Sequence, residues 1–161
     1  MQKITPCLWF DDQGEEAARY YVDIFRDGEI GKVARYTEAG PGKAGTAMTV
    51  TFKLFGQDFM IINGGPLFQF TPATSFVVDC ADQEEVDRYW DALSDGGKPG
   101  QCGWIDDRFG LSWQIVPEAL GRLMSDPDVE KVKRVTEVML GMGKLVVSEL
   151  EAASAGLRRV A

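Results

Sequence analysis

The chain has 161 residues and no histidine. That absence rules out a Ser-His-Asp or Cys-His relay, any zinc site built on imidazole, and the two-His iron triad. Proton transfer would fall to Asp, Glu, Lys, Tyr or Cys. The remaining chemistry-bearing groups lie in a few short stretches. Cys102 stands two residues before Trp104, but has no imidazole and no adjacent lysine to lower its pKa, so the sequence favours an inert thiol. Asp106-Asp107-Arg108 offers paired acids, but at a strand end with no second catalytic partner, and it reads as a polar turn with a structural ion pair. Asn63-Gly64-Gly65-Pro66 lacks the Lys-Ser/Thr and the helix that a phosphate-cradling loop needs, and reads as a turn leaving a strand, with Asn63 free to point inward. Trp9, Trp104 and Trp113 sit in or beside strands among polar neighbours, suited either to an aromatic pocket for a planar ligand or to the core.

The elements that must position these residues come from an internal repeat. Glu15-Glu16-x-x-Arg19-Tyr20-Tyr21 recurs 69 residues later as Glu84-Glu85-x-x-Arg88-Tyr89-Trp90, each copy after an apolar run ending in acid. In the first copy a strand over residues 4–10 leads to a helix with Asp12 as N-cap and Ala17, Tyr20, Tyr21, Ile24 and Phe25 as its stripe, ended by Gly28. Strands over 30–37, 46–55 and 59–62 follow, separated by Gly40-Pro41-Gly42 and Gly56-Gln57-Asp58. The second copy predicts a strand over 75–78, a helix over 83–93 with Val86, Tyr89, Trp90 and Leu93 inward, and strands over 98–105 and 111–116. Beyond the repeat, Asp126-Pro127 reads as the start of one long helix to about residue 153. Its stripe of Val132, Val135, Met139, Met142, Val146 and Leu150 is weakened by Gly141 and Gly143.

Composition bounds the rest. Hydrophobic residues are 45% and charged residues 26%, the values of an ordinary globular chain with no stretch long enough to span a membrane. A formal charge of −8 disfavours nucleic acid and anionic membrane surfaces. Cys7, Cys80 and Cys102 are an odd number without a Cys-x-x-Cys pair, and the first ten residues lack a signal-peptide pattern; both suggest a cytoplasmic protein.

Several motifs resemble one family. They are Asn63-Gly64-Gly65-Pro66-x-Phe68-x-Phe70, Ser75-Phe76, Gln101-Cys102-Gly103-Trp104-x-x-Asp107-Arg108-Phe109-Gly110-x-Ser112-Trp113-Gln114-x-Val116-Pro117, and the tail Met139-Leu140-x-Met142-x-Lys144. Over nearly the whole chain the sequence resembles the PhnB-like branch of the vicinal-oxygen-chelate superfamily, which includes glyoxalases, bleomycin-resistance proteins and dioxygenases. That branch carries a 3-demethylubiquinone-9 3-methyltransferase label. The resemblance implies an α+β fold: two tandem βαβββ modules (about 3–63 and 72–117) and a C-terminal helix (about 126–153) in a single domain, each module curling its strands into a cup. It also implies a homodimer.

In metal-dependent superfamily members, His and Glu facing into the cup hold a divalent ion. By the resemblance, Gln114 falls where the last such Glu would be, and a neutral amide is a poor ligand for that ion. The ligand-pocket candidates are therefore Trp9, Asn63, Ser75, Gln101, Trp104, Trp113 and Gln114, with no metal and no cofactor expected. Three functions are consistent with these residues. The first is a metal-free cup that binds a small organic molecule. The second is a lyase or dioxygenase-type enzyme whose divalent metal is held by oxygen ligands. The third is an oligomerising interaction module with filled cups, its tail helix forming the dimer contact. A methyltransferase built on a doubly wound sheet does not match the order of strands and helices.

Overall fold

A computed structural model describes residues 3–157 of the chain. The chain divides into two compact units, Met1–Phe70 and Thr71–Ala161.

The first unit runs β1 (Cys7–Phe10), α1 (Gly14–Phe25), β2 (Gly28–Arg35), β3 (Ala47–Leu54) and β4 (Gln57–Asn63). Its sheet has the order β1-β4-β3-β2, with β1 parallel to β4 and the other pairs antiparallel. Alternation along the strands turns Val50, Phe52 and Leu54 of β3 and Phe59 and Ile61 of β4 to one face, where all are buried. Helix α1 covers that face with Ala17, Ala18, Tyr21 and Phe25. Phe52 is the hub, stacking on its register partner Phe59 at 5.1 Å and on Tyr21 at 6.0 Å. The helix ends at Arg26, in the left-handed region at φ 49°, and Gly28 opens β2 rather than closing the helix as expected.

The start of α1 departs from the sequence expectation. Asp12 does not cap it. Gln13 holds the N-cap position without a side-chain capping bond, and the buried Asn63 of β4 supplies the missing acceptor, its Oδ1 taking the Gly14 N–H at 2.9 Å. A side chain at residue 14 would overlap Ile61 and Asn63, so glycine is required there.

The second unit repeats the plan with β5 (Ser75–Cys80), α2 (Gln83–Ser94), β6 (Lys98–Pro99), β7 (Trp104–Asp106) and β8 (Ser112–Pro117). Its order β5-β8-β7-β6, again with a parallel first pair, is the same topology. The two units are thus tandem βαβββ modules. Asp82 caps α2 by accepting from Glu85 N, and Glu85 reaches back to Ala81 N, a reciprocal arrangement close to a capping box. Val86, Tyr89, Trp90 and Leu93 are the buried stripe of α2, the four residues its periodicity selects.

The stretch read as one strand over 98–105 is a hairpin, β6 and β7. Cys102 and Gly103 both take left-handed backbone, at φ 56° and 82°, and reverse the chain between them.

The single C-terminal helix is likewise corrected. The tail holds three helices, α3 (Glu118–Met124), α4 (Val129–Leu140) and α5 (Val147–Ser154), and Asp128 rather than Asp126 caps α4 through Glu130 N and Lys131 N. The break falls at the two glycines. There the carbonyls of Met142 and Gly143 accept from Cys102 N and Gly103 N, both at 2.8 Å, instead of from the next helical turn. Val135, Met142, Leu145 and Leu150 form a small core of their own. Arg134 closes α5 by donating to the carbonyls of Ala153 and Ser154. The stripe, which had to cover either its own chain or a partner subunit, is therefore largely satisfied within its own unit.

Candidate functional site

In the second unit, α2 covers one face of the sheet, to which Val78, Cys80, Ile105, Trp113 and Ile115 contribute buried side chains. Strand alternation places Ser75 and Val77 of β5, Gln114 of β8 and Trp104 of β7 on the opposite face. The register sets Val77, Gln114 and Trp104 in one row across the three strands. The Gln114 amide donates from Nε2 to Ser75 Oγ at 2.9 Å, and its oxygen makes no bond to protein among the described residues. Trp104 is half-buried, and Val77 is 54% exposed. The adjoining row holds Asp106, whose Oδ1 accepts from Ser112 Oγ at 2.6 Å. Gln101 is exposed in the loop before Trp104, and its carbonyl accepts from Trp104 N. The structure thus gathers Ser75, Trp104 and Gln114 on one face: an aromatic ring, a hydroxyl, and an amide with a free acceptor.

Trp113 lies on the other face. It is 3% exposed, contacts Phe76 at 5.5 Å, and donates from its indole to Asp107 Oδ2 at 2.9 Å. Asp107 is buried and also accepts from Phe109 N and Leu111 N through Oδ1. This carboxylate therefore organises the turn between β7 and β8 rather than standing ready for proton transfer. The ion pair at this turn is made by Arg108, with Asp95.

In the first unit, Asn63 is spent on structure: besides accepting from Gly14 N, it donates to the carbonyls of Asp12 and Ala47, each at 3.0 Å. Gly64 lies against the ring of Trp9, where any side chain would collide, and Gly65 takes φ 88° and accepts the Trp9 indole N–H at 2.9 Å. The Asn-Gly-Gly turn is thus the seat of Trp9, whose ring also meets Phe68 edge-on at 5.0 Å. A cleft of about 470 Å³ lies along this sheet, lined by Thr5, Glu29, Gly31, Thr51, Lys53 and Met60 among others. Lys53 holds Glu29 at 3.2 Å and Asp58 at 3.7 Å there, and the Glu29 bond pushes its pKa upward. None of these lining residues was singled out from the sequence.

Neither face fits a divalent ion held by imidazole and carboxylate. Among the described residues no three of His, Cys, Asp and Glu are grouped to hold a metal. The amide at 114 already bonds a serine. Burial, and after it the charge of Glu85, pushes the Cys80 thiol up to about 12, so that sulfur stays protonated.

The geometry agrees with what the chain is similar to. The family model described as 3-demethylubiquinone-9 3-methyltransferase matches residues 2–116. The PhnB protein from Bacillus cereus, which carries the same methyltransferase description, is 40% identical, with a TM-score of 0.66 over 72% of this chain and 99% of that one. A protein from Pseudomonas aeruginosa at 20% identity shares the fold, with a TM-score of 0.61 over 73% of this chain and 98% of its own. None of the curated proteins matches. The family match stops at Val116, so it leaves out the three tail helices that the sequence resemblance included. By this match and this topology, the chain belongs to the PhnB-like family that bears the 3-demethylubiquinone-9 3-methyltransferase description.

Proposed function

We propose that the chain binds a small organic molecule in the cup of its modules, without a metal, and that the open face of the second sheet supplies the main contacts. The observation that carries this is the Gln114–Ser75 hydrogen bond beside Trp104. The bond holds the amide by its nitrogen and leaves its oxygen without a protein partner among the described residues. A half-buried indole offers a ring-sized apolar surface, and a preset amide and hydroxyl fix the orientation of a polar substituent. The preferred ligand is a planar or aromatic molecule with a hydrogen-bond donor for Gln114.

Methyl transfer, the activity in the family description, draws no support from the fold. Each sheet has one parallel pair among antiparallel strands, not the parallel doubly wound sheet with a Gly-rich first turn that holds a nucleotide cofactor.

The test is a ligand-observed fluorine NMR screen of small aromatic fragments against metal-free protein, repeated with Trp104→Ala and Gln114→Ala. Fragments carrying a donor should bind, and each substitution should weaken them about tenfold or more, the loss of one good polar or aromatic contact. Binding indifferent to both substitutions, or no binding until a divalent metal is added, would refute the reading.

A further inference from the structure

Two sequence motifs that lie far apart, Gln101-Cys102-Gly103-Trp104 and the tail Met139-Leu140-x-Met142-x-Lys144, meet in the fold. Cys102 is a residue with a side chain in left-handed backbone, a conformation that sterics disfavour for anything but glycine and that persists only when its surroundings impose it. Here the surroundings are the tail. Cys102 N donates to Met142 O and Gly103 N to Gly143 O, both at 2.8 Å, and Cys102 Sγ lies 3.6 Å from Met139 O. A Cβ at Gly143 would press on the Gly100 carbonyl, and the Leu145 side chain lies close against Gly103.

The tail segment is itself tied to α2. Gln83 donates to Leu145 O at 3.2 Å and accepts from Val147 N at 2.7 Å, and Lys144 reaches Asp87 at 2.9 Å and Asp91 at 3.4 Å. On its far side the loop is continuous with the ligand face: Gly103 O accepts from Ile115 N, Gly100 N donates to Trp104 O, and Trp104 pairs with Gln114.

We propose that residues 141–146 are a strap that holds the 100–103 loop in its left-handed turn and thereby sets Trp104 on the ligand face, making Gln83 and Lys144 positioning residues for that face. This rests on the ligand-binding reading above, and it assigns the tail helices, which lie beyond the family match, a part in building the site.

The test uses the full chain labelled with 5-fluorotryptophan, the Trp104 signal being assigned by Trp104→Phe. In Gln83→Ala and in the milder Lys144→Gln, the Trp104 resonance should shift or broaden. The Cys102 and Gly103 amides should exchange about tenfold faster or more, as expected for a local opening. The Trp113 resonance and the β5 amides should not change. Adding Cys102→Gly to Gln83→Ala should restore the Trp104 signal, since glycine adopts the turn without the strap. Unchanged Trp104 and loop amides in both variants would overturn the proposal. So would all four tryptophans changing together, or no rescue by glycine. If Gln83→Ala does not fold, Lys144→Gln, which removes only partly exposed ion pairs, decides by the same readouts. Titration of the wild-type chain with indole keeps the two readings apart. No response at Trp104 would count against the ligand face and leave the strap standing on its own signals.

Discussion

Asn63 caps a helix that begins 49 residues before it, its Oδ1 accepting the Gly14 N–H at 2.9 Å while its Nδ2 donates to the carbonyls of Asp12 and Ala47. One buried amide therefore joins the end of β4 to the start of α1 and the start of β3. Asn63→Ala leaves buried backbone groups unpaired and is expected to cost about 2–3 kcal/mol. Gly14→Ala should cost as much or more through its overlap with Ile61 and Asn63. Urea unfolding followed by tryptophan fluorescence measures both. A loss under about 0.5 kcal/mol in either variant would contradict the assigned role.

Asp107 and Trp113 make the matching test in the second unit. Asp107→Ala strands three N–H donors and is expected to destabilise by about 3 kcal/mol or more. Trp113→Phe removes the indole donor from a buried carboxylate oxygen and part of the ring packing, at about 2–3 kcal/mol. Neither residue is on the open face, so fragment affinity at 25 °C should survive Trp113→Phe and fall with Trp104→Ala. The reverse order would place the ligand on the helix-covered side.

The Asp87–Lys144 pair has a defined pH window. The hydrogen bond from Lys144, then that from Gln83, holds Asp87 below its ordinary 3.8, so its contribution is complete above that value and is lost as pH falls through the lower folded-state value. The bond to Asp87 holds Lys144 above its ordinary 10.5, so its contribution is complete below that value and is lost as pH rises through the raised one. Both groups are well hydrated, so the pair is worth under about 1 kcal/mol. Melting temperatures of wild type and Lys144→Gln should differ by a constant amount from pH 5 to 9 and converge below the carboxylate range. A gap that grows with acid would refute the assignment.

Purified protein is expected to carry far less than one equivalent of zinc, iron, nickel or manganese per chain, because the chain has no histidine and its described residues hold no grouped donor set. Elemental analysis after gentle purification checks this, and chelator treatment should leave the melting temperature unchanged.

A homodimer remains the expected state, now on different grounds. Each sheet ends on two edge strands, and exposed apolar side chains such as Ile4, Leu67 and Phe68 in the first unit are better covered than bare. Light scattering should give twice 17.8 kDa at micromolar concentration, and a monomer there would refute it.

What the sequence determined by itself was local and periodic. The stripe of α2, the alternation of β3, and the Glu-Glu-x-x-Arg-Tyr repeat each depend on residues a few positions apart, and each fixed an element and its inward face. The order of those elements reads as βαβββ in the first copy and as βαββ in the second, where 98–105 looks like one strand; the doubled βαβββ plan came from the family resemblance, and the hairpin inside 98–105 completes it. The total lack of histidine limited the chemistry before any fold was considered.

Tertiary structure decided everything that depends on partners distant in the chain. Asp12 has the right chemistry and position for a cap, but Asn63 arrives from β4 and takes the role. The 141–146 segment has a continuous helical stripe, but two glycines weaken it, and its carbonyls accept from the amides of a left-handed turn forty residues earlier in place of another helical turn. Trp104 and Trp113 look alike in sequence, and only the pairing of β7 with β8 and the position of α2 put one on the open face and the other in the core. Such outcomes depend on which buried N–H groups lack a partner once the chain has collapsed, a property of the folded whole rather than of any window of residues.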